Sequence, residues 1–274
     1  MARTPRLAAG RARALGVPTR GTTNPNRLRK VDRWIAGTPW VASVLRDAAD
    51  PLVVDLGYGS SPVTTVELAH RLRAVRKDVR VLGLELDPER VEAAKPATDP
   101  PWLEFRRGGF ELAGARPMVL RAFNVLRQYT EEDAAAAWTT MLSRVAPGGL
   151  LVEGTCDEIG RRCCWVTLTH DGPQTFTLAC LPSDISQPSD LAERLPKSLI
   201  HHNVAGERVH DLLTAMDAHW AAAAPMSPFG PRARWVETVR RLAANDWPVL
   251  DTRRRWRLGE VTLSWDAVAT TRLD

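Results

Sequence analysis

Residues 53–62 read Val-Val-Asp-Leu-Gly-Tyr-Gly-Ser-Ser-Pro, an apolar run that reaches Asp55 and breaks into a turn carrying Gly57 and Gly59. The run over 52–56 has the composition of a strand buried on both faces. Glycines in the turn allow backbone angles closed to other residues and let a ligand come close to the main chain. A helix opening at Pro62 offers unpaired amides and a positive dipole end, suited to a carboxylate or phosphate. This is a nucleotide-type binding turn.

Working outward, strands and helices alternate. Val63, Val66, Ala69, Leu72 and Val75 line one face of a helix after the turn, and 79–86 is a second strand. Asp87-Pro88 starts a short helix, with Asp87 as its cap and Pro88 in the first turn. Strands are expected over 102–105 and 118–123. Thr130 followed by three acids opens a longer helix that stops at Pro147-Gly148-Gly149, ahead of a fifth strand over 150–153. Segments 164–168 and 175–181, joined through His170-Asp171-Gly172-Pro173, read as an antiparallel hairpin. Residues 182–197 read as a loop or cover, 209–220 and 234–242 as helices, and 260–265 as an edge strand. The expected fold is a mostly parallel, doubly wound α/β sheet with an antiparallel closing hairpin and helical N- and C-terminal additions. Three parts are expected: a flexible basic arm over 1–23, a core with N-terminal cover helices over 24–181, and a C-terminal addition over 182–274 packed on that core.

In such a sheet ligands sit beyond the carboxyl ends of the strands, near the switch in strand order. Three segments would meet there: the turn 55–61, Glu85 at the end of the second strand about 30 residues on, and Arg107-Gly108-Gly109-Phe110 after the third. An acid at the second position accepts from both ribose hydroxyls of a nucleoside, and Phe110 would pack against a base.

On these residues, together with Gly83-Leu84-Glu85-Leu86-Asp87, the strand 118–123 and the Pro147-Gly148-Gly149 approach, the chain resembles the class I S-adenosylmethionine-dependent methyltransferases over roughly 26–181. The resemblance implies that Asp55, Gly57 and Gly59 surround the methionine part of the cofactor. It implies Glu85 on the ribose, Leu86 against adenine, Gly109 and Phe110 at the adenine edge, and Ala122, Phe123 and Asn124 facing sulfonium and acceptor. Three departures stand out. Ser61 replaces the usual third glycine, Gly108-Gly109-Phe110 carries no acid for the adenine amino group, and strand four lacks the Asn-Pro-Pro-Tyr type signature of base and amide N-methylation. The implied acceptor is a small molecule or RNA.

No residue announces itself as a general base. Arg127, Tyr129, Glu153 and Asp157 lie near the expected mouth, and His201 and His202 are further candidates. Asn24, Asn26 and Arg27, at a helix start, would reach a cofactor carboxylate or substrate anion.

The 274 residues carry a net charge of +5, with 44% hydrophobic and 25% charged residues. Residues 1–33 hold nine Lys/Arg against the single acid Asp32, an arm suited to an anionic partner. Arg253-Arg254-Arg255 and Arg257 form a second cluster. Trp235 and Trp256 lie among such arginines, as base-stacking candidates or core anchors. Cys156, Cys163, Cys164 and Cys180 lack ligand spacing and read as strand-facing core thiols, so no metal is expected. No apolar run approaches the roughly 18 residues of a membrane span, and no signal core is present, so a cytoplasmic protein is expected.

Two other readings remain open. A nicotinamide-dependent dehydrogenase shares the glycine turn and the acid, but the third glycine of its pattern falls at Pro62. A catalytically silent nucleoside- or RNA-binding protein would use the same fold with the basic arm.

Overall fold

The structure is a computed structural model that describes residues 16–17 and 23–270. Two helices lead in, α1 (Arg29–Gly37) and α2 (Pro39–Arg46), followed by β1 (Leu52–Leu56), α3 (Val63–Leu72), β2 (Arg80–Glu85) and α4 (Pro88–Ala94). Next come β3 (Leu103–Arg107), β4 (Val119–Phe123), α5 (Glu131–Leu142) and β5 (Leu150–Cys156). The hairpin β6 (Arg162–Thr169) and β7 (Gly172–Cys180) precedes α6 (Lys197–Ile200), α7 (Arg208–Ala222), α8 (Pro231–Ala244), α9 (Arg253–Trp256) and β8 (Glu260–Ser264).

All eight strands join one sheet in the order β3-β2-β1-β4-β5-β6-β7-β8. The first five are mutually parallel and the rest antiparallel. Strand order reverses between β1 and β4, which opens a crevice at their carboxyl ends. Both faces are covered, as apolar parallel strands require. One face packs Trp34, Ile35, Val53, Leu68, Val119 and Trp165 under α1, α2 and α3. The other packs Leu84, Leu120, Met141, Phe176, Leu213 and Trp235 under α5, α7 and α8. The expected α/β sheet is therefore present, and β8 is its edge strand. Residues 182–197 form two short 3-10 segments instead of open loop. β5 continues to Cys156, beyond its apolar run, because Gly154, Thr155 and Cys156 pair with Trp165, Cys164 and Cys163.

The N-cap roles read from sequence hold: Asp87 accepts from Glu89 N–H at 2.9 Å, and Thr130 accepts from Asp133 N–H at 3.1 Å. All four cysteines are free thiols buried in strands. The arm expected over 1–23 lies almost wholly outside the described residues.

Candidate functional site: the crevice at the strand switch

At the end of β1 the chain turns through Gly57 (φ 71°) and Gly59 (φ 83°), angles that favour glycine. Gly57 N–H donates to the Leu84 carbonyl at 2.7 Å, which ties the turn to β2. The Glu85 carboxylate, buried at the end of β2, accepts from Gly59 N–H at 3.0 Å and from Leu86 N–H at 2.8 Å. Arg90 stands 3.6 Å from its second oxygen. Asp87 N–H adds a third, longer bond at 3.4 Å, so of a carboxylate's roughly four acceptor sites about one is left for a hydroxyl entering the crevice.

Glu85, Leu86, Gly109 and Phe110 line one cavity with Gly57, and Val125 and Tyr129 complete it. The Phe110 and Tyr129 rings meet at 5.5 Å and 57°. Burial raises the Tyr129 phenol pKa, so the hydroxyl stays protonated. This slot has apolar side walls, a backbone edge at Gly108 and Gly109, and an acid at one end. Apolar walls and a terminal acceptor are what a nucleoside's base and sugar would require of such a slot.

Gly16 and Val17 also line this cavity. Val17 N–H donates to Tyr129 Oη at 2.5 Å, and the Val17 carbonyl accepts from Gln128 Nε2 at 3.0 Å. A Cβ on Gly16 would stand 3.1 Å from Leu86 and 3.2 Å from Tyr129 Oη. Only about 10 Å³ remains open, roughly one probe-sized water and no more.

Of the residues expected around the ligand, Asp55, Gly59, Ala122, Phe123 and Asn124 do not line this cavity. Asp55 points to the opposite face of β1, where its oxygens accept from Arg121 Nε at 2.8 Å, Arg121 Nη2 at 2.7 Å and Thr65 Oγ1 at 2.6 Å. Its neighbours Val54 and Leu56 belong to the other face, as strand alternation requires. Asn124 adopts φ 59° and staples β4 to β5: its Oδ1 accepts from Cys156 N–H at 3.0 Å, and its backbone N–H donates to the Gly154 carbonyl at 2.8 Å. Both are structural here, and neither lines the cavity.

The expected cofactor-carboxylate ligands are likewise engaged. Asn24 Nδ2 donates to the Glu158 carbonyl at 2.9 Å, Asn26 Oδ1 accepts from Arg71 at 3.1 Å, and Arg27 Nε donates to the Asp157 carbonyl at 2.8 Å. Among the base candidates, Asp157 accepts from the amides of Ile159, Arg161 and Arg162 and fixes its own turn. His202 pairs with Glu131 at 2.6 Å, and His201 lies 3.0 Å from Lys197. Burial, together with Arg194 nearby, lowers the Arg127 pKa. Glu153 is buried on the α5 side beside Trp138, and burial, only partly offset by that indole, pushes its carboxyl up to about 8.

The Arg121 group was not foreseen. Besides Asp55, this guanidinium bonds Asp32 and the Thr64 carbonyl, and Asp32 in turn binds Arg71 at 2.5 Å. Burial alone would lower the Arg121 pKa, but Asp55 and Asp32 more than reverse that and keep it charged. The signal in sequence is an arginine inside the apolar run Val119–Phe123, which demands buried acids.

No family model matches the chain, and no curated protein matches it in sequence. Among solved structures, a protein from Anaeromyxobacter dehalogenans described as a type II methyltransferase is 19% identical over 49% of each chain, with a TM-score of 0.35. The CcbJ methyltransferase from Streptomyces caelestis is 16% identical over 54% of this chain and 69% of its own, at 0.35. Human N-acetylserotonin methyltransferase, solved with S-adenosylmethionine, is 18% identical over 46% of this chain and 36% of its own, at 0.31. The chain thus spans about half the length of the first and about a third of the last. At such identities and scores these likenesses carry no functional weight, and function rests on the crevice itself.

Proposed function

We propose that this chain binds S-adenosylmethionine in the crevice and passes its methyl group to an acceptor, a small molecule or RNA, at the carboxyl rim of the sheet. The observation that carries this reading is the buried Glu85 carboxylate, set against the Gly57–Gly59 turn at one end of an apolar slot. When bound, the cofactor supplies an electrophilic methyl on a sulfonium, and displacement at that carbon asks the protein chiefly for alignment and dryness. Glu85 would accept from the ribose hydroxyls and Leu86 and Phe110 would sandwich the adenine, with the backbone of Gly108 and Gly109, whose amides are held by the Glu85 carbonyl and the Glu111 carboxylate, as its border. No group of this chain is assigned as general base, because the rim candidates are engaged in structural bonds or withdrawn from the cavity.

The reading predicts that calorimetry finds S-adenosylhomocysteine bound and NAD not. Glu85→Ala should weaken that binding at least tenfold, about 1.4 kcal/mol, the scale of lost charged hydrogen bonds. Tighter binding of NAD, or a Glu85→Ala variant that binds as before, would overturn it. A silent nucleoside-binding protein keeps one observation in its favour, the engagement of the rim candidates for a general base in structural bonds. Methyl transfer from labelled cofactor to a panel of acceptors, RNA included, separates the two.

A further inference from the structure

Two concave features lie away from the crevice, sharing none of its lining residues. One cavity of about 450 Å³ lies between α8 and α9, and a second of about 620 Å³ adjoins it, sharing Arg232, Arg253 and Arg257. Arg240 lines the first and Arg254 the second. The single acid of the lining, Glu237, is already held by Arg240 at 2.7 Å and Arg241 at 2.9 Å. Arg232, Arg253, Arg254 and Arg257 have no ion-pair partner among the described residues. Four uncompensated guanidinium groups around a hollow are costly in mutual repulsion, a cost that an anionic ligand removes. Phe229, 75% exposed, stands in the same lining, an aromatic face in water beside a field of positive charge.

The sheet gives this hollow a place relative to the crevice. β7 runs antiparallel to β6, and β8 antiparallel to β7, so the start of β8 lies at the carboxyl rim of the parallel strands. α9 immediately precedes that start. Five strand spacings separate β1 from β8, roughly 24 Å. Crevice and arginine hollow therefore share one rim, at a distance that a chain of several nucleotides spans.

We propose that the α8–α9 hollow is a docking site for single-stranded nucleic acid. Its arginines take the backbone phosphates and Phe229 offers a face to a base. Guanidinium groups match phosphate in paired hydrogen bonds, and base–aromatic stacking tolerates any sequence. A concave space with an exposed aromatic face suits unpaired bases, which a duplex keeps stacked inside. The trptophan candidates divide: Trp235 is fully buried core, whereas Trp256 lines the hollow with its indole N–H on Asp251. Docking stands on this hollow alone; only its use in presenting an acceptor rests on the methyl-transfer reading.

The test is fluorescence anisotropy of the full chain with labelled single-stranded RNA and DNA of about 12 nucleotides, at two salt concentrations, against Arg253→Ala/Arg257→Ala and Phe229→Ala. Thermal melts would establish that the variants are folded. The double variant is expected to lose about tenfold in affinity and to lower the salt slope by about 2. Phe229→Ala should weaken binding with the slope unchanged. Unaltered binding by the double variant would assign the strand to the basic N-terminal residues and overturn the proposal. So would absence of binding, duplex binding as tight as single strand, or displacement by inorganic polyphosphate together with a silent Phe229→Ala. None of these outcomes depends on cofactor binding, so failure here leaves the crevice reading intact.

Discussion

Arg121 and Glu153 sit on adjacent strands, both withdrawn from water, and are treated in opposite ways. Arg121 faces α1 and α3 and finds two carboxylates and a carbonyl. Breaking such a group typically costs about 3–5 kcal/mol, because the partners stay buried and charged. Glu153 faces the other side and meets no cation there, only the Trp138 indole, so keeping its proton is its main means of avoiding a buried charge. With a folded pKa of about 8 against an ordinary 4.5, the folded chain keeps the proton after the unfolded chain has lost it. The stability due to this group is therefore full below about 4.5, declines as pH rises, and is gone above 8. Glu153→Gln should flatten that decline, matching wild type near pH 4.5 and exceeding it at pH 8 by on the order of 3 kcal/mol. Urea unfolding at the two pH values measures it, and parallel profiles would refute the claim. The same residues show what the sequence revealed. Glu85, Gly57 and Phe110 were legible because strand ends in known order must meet at one rim. That Asp55 and Asn124 lie off the cavity was not legible, because their partners, Arg121 and Cys156, are 66 and 32 residues away, and alternation separates the two faces without saying which partner waits on each.

Strands and helices were nearly all readable, since apolar runs and caps are local signals. The strap formed by Gly16 and Val17 was not, because these residues carry no periodicity and contribute through backbone groups. In the slot they take space that a base would need, and the amide and carbonyl of one residue bond two neighbours of the short turn after β4, Tyr129 and Gln128. On the proposed function, cofactor and strap would compete for one volume. Apparent affinity falls by the fraction of molecules with the slot open. A chain lacking residues 1–22 is expected to bind S-adenosylhomocysteine several-fold more tightly by calorimetry. Equal or weaker binding would mean that the strap is part of the cofactor site and not its rival.

The first helix and the last strand among the described residues meet. Trp34 Nε1 on α1 donates to Thr262 Oγ1 on β8 at 3.2 Å, and that hydroxyl also lies 3.0 Å from Thr177 Oγ1 on β7. Lys30 Nζ reaches the Leu258 carbonyl at 3.1 Å, and Arg255 Nη1 reaches the Arg33 carbonyl at 3.4 Å. Trp34 stacks edge-on with Trp165 at 5.6 Å, so this contact continues into the core that supports the Arg121 group. β8 also covers the edge of β7, a strand whose inner residues are buried on both faces. Such an edge left bare is a template for aggregation. Composition suggested an addition after 182, but only the fold shows that the N-terminal helix needs it. A chain ending at residue 244 is therefore expected to lose the wild-type cooperative melt and to bind a hydrophobic dye, with Trp34 fluorescence shifted toward that of water-exposed indole. If that shortened chain melted as one transition near the wild-type midpoint, the cover helices and crevice would be stable without β8, and the linkage between α1 and β8 would carry no weight in folding.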